Sequence, residues 1–347
     1  MKNFKTILIT GGAGFIGSNF VKYIYKKYPN YKIIVFDCLT YAGGIDNFEP
    51  EMINDKERFD FIYGNVCNND LADELVEKSD IVVHFAAETH VTRSIYDNLI
   101  FFETDVLGTQ SIVNAVSKHK NTVERFIHIS TSEVYGTAKA ETMSEDDHPL
   151  LPLSPYAAAK VGADRLVYSY WATYNIPAVI VRPFNNYGPN QHLEKVIPRF
   201  ITSCFLDEPL AVHGDGGAER DWVYVEDSCQ ALDKILHGDI NKLKGQVINI
   251  GSGRNISIKT IAETIVEKMG KPKSLITYID DRPGQVFRHT ADIKKAKKLL
   301  NWQPLVPFEE GLNKTIEWYK NNRNWWEKRL WMRKVPIVDK DGKKIIH

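Results

Sequence analysis

Residues 9–20, "ITGGAGFIGSNF", decide how the rest of the chain is read. A short apolar run, 6–10, stops at paired glycines, and glycines stand at 11, 14 and 17 before an amphipathic pattern begins at about 16. That is a strand, a tight turn and a helix. Glycines at this spacing permit the turn, let the backbone approach a pyrophosphate, and let helix and strand pack closely. The helix N-terminus then presents free amides and partial positive charge to phosphates. Asp37 closes the next apolar run about 20 residues on, where a carboxylate accepts from a ribose diol and repels a 2′-phosphate. The stretch predicts a dinucleotide site that takes NAD rather than NADP.

The pattern continues outward. Apolar, β-branched runs at 6–10, 32–37, 59–64, 80–87, 125–131 and 177–183 alternate with helical patterns at 16–27, 104–118 and 155–174. Most runs are continuously apolar, as in strands buried on both faces of a parallel sheet. The expected fold is α/β, a Rossmann-type doubly wound parallel sheet with a smaller C-terminal substrate-binding domain. Residues 1–183 make the NAD-binding part, to which 222–251 returns with a strand at 246–251. Residues 184–330 mainly bind substrate, and 331–347 form a tail. The run "HFAAETH" (84–90) ends the fourth strand, and small Ala86 and Ala87 let a cofactor lie across the strand tips. The aromatic, basic run "NWWEKRLWMRK" (324–334) reads as a peripheral helix that packs its tryptophans.

Lys plus Arg and Asp plus Glu number 44 each, for a formal net charge of zero. A nucleic-acid binder normally carries a basic excess, so no nucleic-acid partner is expected. The four cysteines, Cys38, Cys67, Cys204 and Cys229, form no close pair and no metal-ligand spacing, so no metal is expected. No run approaches the ~20 apolar residues of a membrane span. These features predict a reduced cytoplasmic protein without a membrane partner.

Two further stretches carry chemistry. "SPYAAAK" sets Tyr156 and Lys160 four residues apart, on one helix face. A neighbouring ammonium favours phenolate, so Lys160 is expected to lower the pKa of Tyr156 and make it a base. "HISTSEVYG" (128–136) places Thr131, Ser132 and Glu133 at a strand end. A simple alcohol dehydrogenase needs no carboxylate there; an enzyme that also removes a proton from carbon does.

The glycine turn, Thr131-Ser132-Glu133-Val134-Tyr135-Gly136 and the Tyr156/Lys160 pair resemble the extended short-chain dehydrogenase/reductase family. More narrowly, the chain resembles nucleotide-sugar 4,6-dehydratases of the dTDP-glucose type. The supporting blocks are 37–47, 86–95, 185–201, 214–227 and "DRPGQVFRH" (281–289), and the likeness runs from about residue 5 to 326. It implies that NAD is held by Gly11, Gly14, Phe15, Ile16, Gly17, Asp37, Leu39, Thr40, Asn65, Val66, Ala86, Ala87, Tyr156 and Lys160. It implies that the nucleotide-sugar substrate meets His90, Thr131, Asn186, Lys195, Val196, Arg220, Asn255 and Arg282. Arg220, Asn186 and Arg282 would serve the pyrophosphate, Lys195 and Val196 the base. A structural partnership of Arg220 with Asp221 or Asp227 is the alternative reading.

The implied reaction oxidises C4 while Tyr156 takes the hydroxyl proton and Thr131 holds the 4-oxygen. Glu133 then removes the C5 proton, water leaves C6, and hydride returns to C6, giving a 4-keto-6-deoxy sugar. The resemblance also implies a homodimer packed through 104–118 and 155–174. The chain departs from the dTDP-glucose pattern at Ser132, where those enzymes carry an Asp as general acid. It departs again at Gly44 (for Asn), Asn65 (for Asp), Thr92 (for Asp) and Asp105 (for Asn). The order Thr-Ser-Glu instead resembles GDP-mannose 4,6-dehydratases and UDP-glucuronate decarboxylases, so the decarboxylase activity and a 4-epimerase stay open beside the dehydratase. A non-catalytic NAD or sugar-nucleotide binder is the remaining alternative, and an intact Thr131/Tyr156/Lys160 set argues against it.

Overall fold

The structure is a computed structural model and describes residues 5–138, 140–280, 286–338 and 344–346, the last two segments as backbone alone from 337 onward. Seven parallel strands form the main sheet. They are β1 (Lys5–Thr10), β2 (Tyr31–Asp37), β3 (Phe59–Tyr63), β4 (Ile81–His84), β5 (Arg125–Ile129), β6 (Ala178–Pro183) and β7 (Val247–Ile250). Their order is β7-β6-β5-β4-β1-β2-β3. The order reverses between β1 and β4, which opens a crevice at their carboxyl ends, the usual ligand position in such sheets.

The continuous apolar runs have a direct cause. Ile7 and Ile9 of β1 face one buried cluster with Val35, Val83 and Ile127, while Leu8 faces another with Phe36, Val82 and Phe126. Helices α1 (Phe15–Lys27) and α4 (Val225–His237) cover the first face; α2 (Gly108–Lys118) and α3 (Pro155–Tyr174) cover the second. Helix α3 starts where Ser154 accepts the amide of Ala157 and Pro155 fixes the first turn, and it ends at Asn175 in the left-handed region. After β6 a smaller layer forms around the strand Glu219–Tyr224, flanked by Asn255–Ser257, Arg288–His289 and Asn185–Tyr187.

Three local expectations differ from the structure. The fourth strand ends at His84 instead of continuing to 87, and residues 85–87 instead pass over the first glycine turn. The contact is close: a Cβ on Gly11, whose φ is +65, would lie 2.4 Å from the amide nitrogen of Ala86. The expected helix at 104–118 begins with a π-helical segment, Phe102–Leu107, before α2. That widened segment holds buried Asp105, whose Oδ1 accepts the amide of Glu88 at 2.7 Å. The tryptophan-rich segment is two short pieces, Arg323–Glu327 and Leu330–Arg333, that bury Trp326 and leave Trp331 exposed.

A buried ion pair joins α3 to the sheet. Asp164, fully buried on α3, accepts from Arg182 Nε of β6 at 2.9 Å, from Nη2 at 3.1 Å, and from the Ser130 hydroxyl at 2.8 Å. Burial alone would raise the Asp164 carboxyl, but Arg182 and Arg165 outweigh it and hold it at about 2. Its stabilising contribution is therefore present above the ordinary value of 3.8 and is lost as pH falls through about 2. Removing one partner of a buried pair leaves an uncompensated charge. Asp164→Asn is expected to cost about 3–5 kcal/mol at neutral pH, measured by urea unfolding, with the difference from the parent chain shrinking in strong acid.

Candidate active site

The crevice at the carboxyl ends of the strands is a cavity of about 410 Å³. One end gathers the residues expected to cradle a dinucleotide. Gly11, Gly14, Phe15, Ile16 and Gly17 line it from the first turn, Asp37 and Thr40 from the end of β2, and Asn65 and Val66 beyond β3. Ala86 and Ala87 line it after β4. A Cβ on Gly14 would meet only the Gly11 carbonyl, at 3.4 Å, so the glycine leaves room on the cavity side. No side chain caps α1, which leaves its first-turn amides for an anion. Asp37 is fixed by the amides of Ala13 (2.9 Å) and Leu39 (2.8 Å), each of its oxygens keeping a lone pair. Leu39 itself does not line the cavity; it sits at φ 50 and supports Asp37 through that amide. Low steric bulk, free amides and a fixed carboxylate suit a dinucleotide.

At the other end the short turn Ser132–Tyr135 follows β5 and brings Thr131, Ser132 and Glu133 to the cavity that Tyr156 and Lys160 of α3 also line. All five line the same space. Thr131 hydrogen-bonds Tyr156, and Lys160 Nζ donates to the Ile129 carbonyl at 2.8 Å. The expected lowering of Tyr156 by Lys160 does not occur. Burial, and next the charge of Asp105, push the phenol up, with only the Thr131 hydrogen bond opposing them. Burial likewise lowers Lys160, against Asp105 and Asp164. Sequence spacing showed the ammonium but not the carboxylate that offsets it. Asp105 is itself pushed up to about 7, by burial, against the attraction of Lys160.

His90, His192, Glu194 and Lys195 also line the cavity, a polar wall that sequence reasoning missed except for His90 and Lys195. Buried Glu194 accepts from Tyr41 Oη and Arg93 Nε, both at 2.8 Å, with His90 Nε2 at 3.9 Å and His192 Nε2 at 3.7 Å. Burial would raise its carboxyl, but His90, Lys195, His192 and Arg93 hold it at about 2. Lys195 Nζ donates to the Thr89 carbonyl at 2.7 Å. These residues are 41, 90, 93, 192 and 194 in sequence, so only the fold gathers them.

Asn186, Val196 and Arg220 also line the cavity. Asp221 is occupied by the amides of Ser252, Gly253 and Ala291, and Asp227 by those of Leu305 and Val306, so both carboxylates serve the backbone. Asn255 is not in the lining; its amide donates to Glu219 at 2.6 Å. Arg282 lies outside the described residues.

Residues 8–315 match the model of the GDP-mannose 4,6 dehydratase family. A dTDP-glucose 4,6-dehydratase of Streptomyces niveus is 40% identical over 92% of this chain and 94% of its own. The low-salt glycan biosynthesis protein Agl12 of Haloferax volcanii is 44% identical over 90% of this chain and 98% of its own. The crystal structure of the Bacillus anthracis dTDP-glucose 4,6-dehydratase in complex with NAD is 38% identical, with a TM-score of 0.85 over 93% of this chain and 99% of that one.

Glu88, on the cavity wall, offers a test of these electrostatics. Burial and then the charge of Glu194 push its carboxyl up to about 7 from an ordinary 4.5, against Arg93 and Lys195. The folded chain thus binds the Glu88 proton more tightly than the unfolded chain. Its contribution is full below pH 4.5 and is lost as pH rises through about 7. Glu88→Gln is expected to match the parent chain in urea unfolding near pH 4.5 and to exceed it by about 1–3 kcal/mol above pH 7.

Proposed function

The chain belongs to the GDP-mannose 4,6 dehydratase family and is an NAD-dependent nucleotide-sugar 4,6-dehydratase; from that premise we propose a dTDP-glucose-like hexose as its substrate and a division of labour among its residues. The observation that carries the proposal is that Glu133 and the Thr131–Tyr156 pair line a single cavity, with the charge of Glu133 acting on Tyr156, beside the residues that would cradle a dinucleotide. Oxidation alone requires only the pair. The carboxylate adds elimination.

In this reading residues 1–183, with 222–251, hold NAD, and 184–330 supply most substrate contacts. NAD, when bound, supplies a two-electron acceptor that gives the electrons back within the same cycle. Gly14, the first-turn amides of α1, Asp37, Tyr156 and Lys160 hold it. Tyr156 takes the proton of the 4-hydroxyl while Thr131 donates to the 4-oxygen. The C4 ketone acidifies C5, and Glu133 takes that proton, leaving an enolate. Ser132, a hydroxyl, is a poor acid, so the same proton passes from Glu133 to O6 as the C6–O bond breaks and water leaves. A proton later returns to C5, so two protons taken balance two delivered. Arg220 and Asn186 face the pyrophosphate, and Lys195 and Val196 the base.

A homodimer fits this reading. Leu99, Ile100, Phe102 and Leu107 are exposed apolar side chains before α2, and Tyr168 is exposed on α3. Light scattering at micromolar concentration is expected to give twice the chain mass, and a monomer would refute the pairing. The four cysteines are free thiols, which suits a reducing, cytoplasmic setting.

The test of function is incubation with a panel of nucleotide sugars, with product analysed for the 4-keto-6-deoxy form. dTDP-glucose is expected to be turned over without added NAD. Turnover of UDP-glucuronate with loss of carbon dioxide would identify a decarboxylase instead. Glu133→Gln is expected to keep C4 oxidation, visible as NADH-like absorbance, and to lose elimination by ~10²–10⁴-fold. Ser132→Ala is expected to cost far less; an equal loss would give Ser132 the acid role.

A further inference from the structure

His289 stands behind Glu133, and no step above uses it. It is fully buried on the short strand Arg288–His289, opposite Arg220 in the register of the smaller layer. Its Nε2 lies 2.8 Å from the carbonyl oxygen of Gly136, the residue that ends the turn carrying Glu133. A carbonyl only accepts, so Nε2 carries the ring proton. In the neutral ring Nδ1 is therefore a bare lone pair. Among the described residues it has no hydrogen-bond partner, and Glu133 Oε1 stands 3.8 Å from it.

Two proton acceptors, one buried and one partly exposed, thus face each other, and only a proton between them makes the contact favourable. We infer that His289 is a positioning residue for proton transfer at C5, holding through Nδ1 the proton that Glu133 removes from substrate. Before the transfer, carboxylate and lone pair gain nothing from each other. After it, the Glu133 acid donates to Nδ1. The hydrogen bond exists only in the state that proton abstraction produces, so it favours that step over the ground state.

In atoms, the C5 proton goes to Glu133 and the C–H electron pair enters the C4–C5 enolate. The proton then goes to O6, the C6–O bond breaks with its pair leaving on oxygen, and C5=C6 forms as water departs. His289 exchanges nothing with substrate. It steadies the protonated carboxyl between its two uses, which matters most where the neighbouring position, Ser132, offers only a hydroxyl.

Among the described residues, the groups facing His289 are Glu133, Arg220 and the Gly136 carbonyl, with the Phe184 ring edge-on at 6.4 Å. Burial, then Glu133 in the opposite sense, then Arg220 decide its proton binding, and the net effect is a lowered pKa. The ring is therefore neutral in the working range. In acid the imidazolium would donate to Glu133 and hold it as carboxylate, weakening it as a base. Elimination is expected to fall on an acid limb below the ordinary histidine range.

The inference rests on Glu133 as the C5 base, and the experiment separates the two. The full chain with NAD is mixed with dTDP-glucose, and NADH-like absorbance and 4-keto-6-deoxy product are followed against pH. His289→Gln keeps a donor for Gly136 but cannot take a second proton; His289→Phe keeps the ring shape. In His289→Gln, C4 oxidation is expected within about twofold of the parent, elimination slower by about 10²-fold, and the acid limb gone. Elimination within twofold on an unchanged pH profile would overturn the role of His289. So would an equal loss of both half-reactions in both variants, the mark of a structural role. Normal elimination by Glu133→Gln would overturn the reading of Glu133 itself.

Discussion

The site depends on a buried ion pair that does not itself line the cavity. Asp164 binds Arg182 through two hydrogen bonds and Ser130 through a third, all inside the protein. Buried pairs seldom add net stability over a well-packed apolar replacement. What this one provides is registration. Tyr156, Lys160 and Asp164 recur every four residues along α3 and so share a face. Fixing Asp164 against β6 and Ser130 fixes the rotation of α3 about its own axis. Tyr156 is thereby aimed at Thr131, the residue after Ser130, and Lys160 at the carbonyl of Ile129, the residue before it. Three side chains of one helix meet three consecutive residues at the end of β5.

A second constraint is steric. Residues 85–87 run against the first glycine turn so closely that Gly11 has no space for a Cβ. This contact closes the floor of the crevice where the strand order reverses. It also steers the chain after β4 to Glu88, whose amide reaches Asp105. The glycine motif therefore serves the protein's own packing as well as phosphate approach.

Legibility in the sequence follows from how local each signal is. The sheet was readable because strands buried on both faces are apolar at every position, and Ile7, Leu8 and Ile9 each have a core to enter. Helix α3 was readable to its ends because Ser154, Pro155 and Asn175 are local stop and start signals. The cradle and the five residues from Thr131 to Lys160 were readable because motif spacing survives in the chain. The π-helical segment was not, because it exists to bury one carboxylate against partners 17 and 55 residues away, Glu88 and Lys160. The Glu194 wall was not, because its partners come from residues 41 to 194 and none forms a motif by itself. Tyr156 was read with the wrong sign for the same reason: an i, i+4 ammonium is visible in sequence, whereas burial and the opposing Asp105 are not.

That sign has a consequence for how the two bases differ. Tyr156 is buried among groups that favour the neutral phenol, so in the proposed reaction it would accept a proton only as charge rearranges around C4. Glu133 stands partly exposed on a turn, with the His289 lone pair behind it. Two proton acceptors placed in such unlike surroundings are suited to act at different moments, as is general where one site runs successive acid–base steps. The order then follows from chemistry rather than from motion. In the proposed reaction the C5 proton becomes acidic only once C4 is a ketone, so Glu133 would have nothing to remove until Tyr156 had acted.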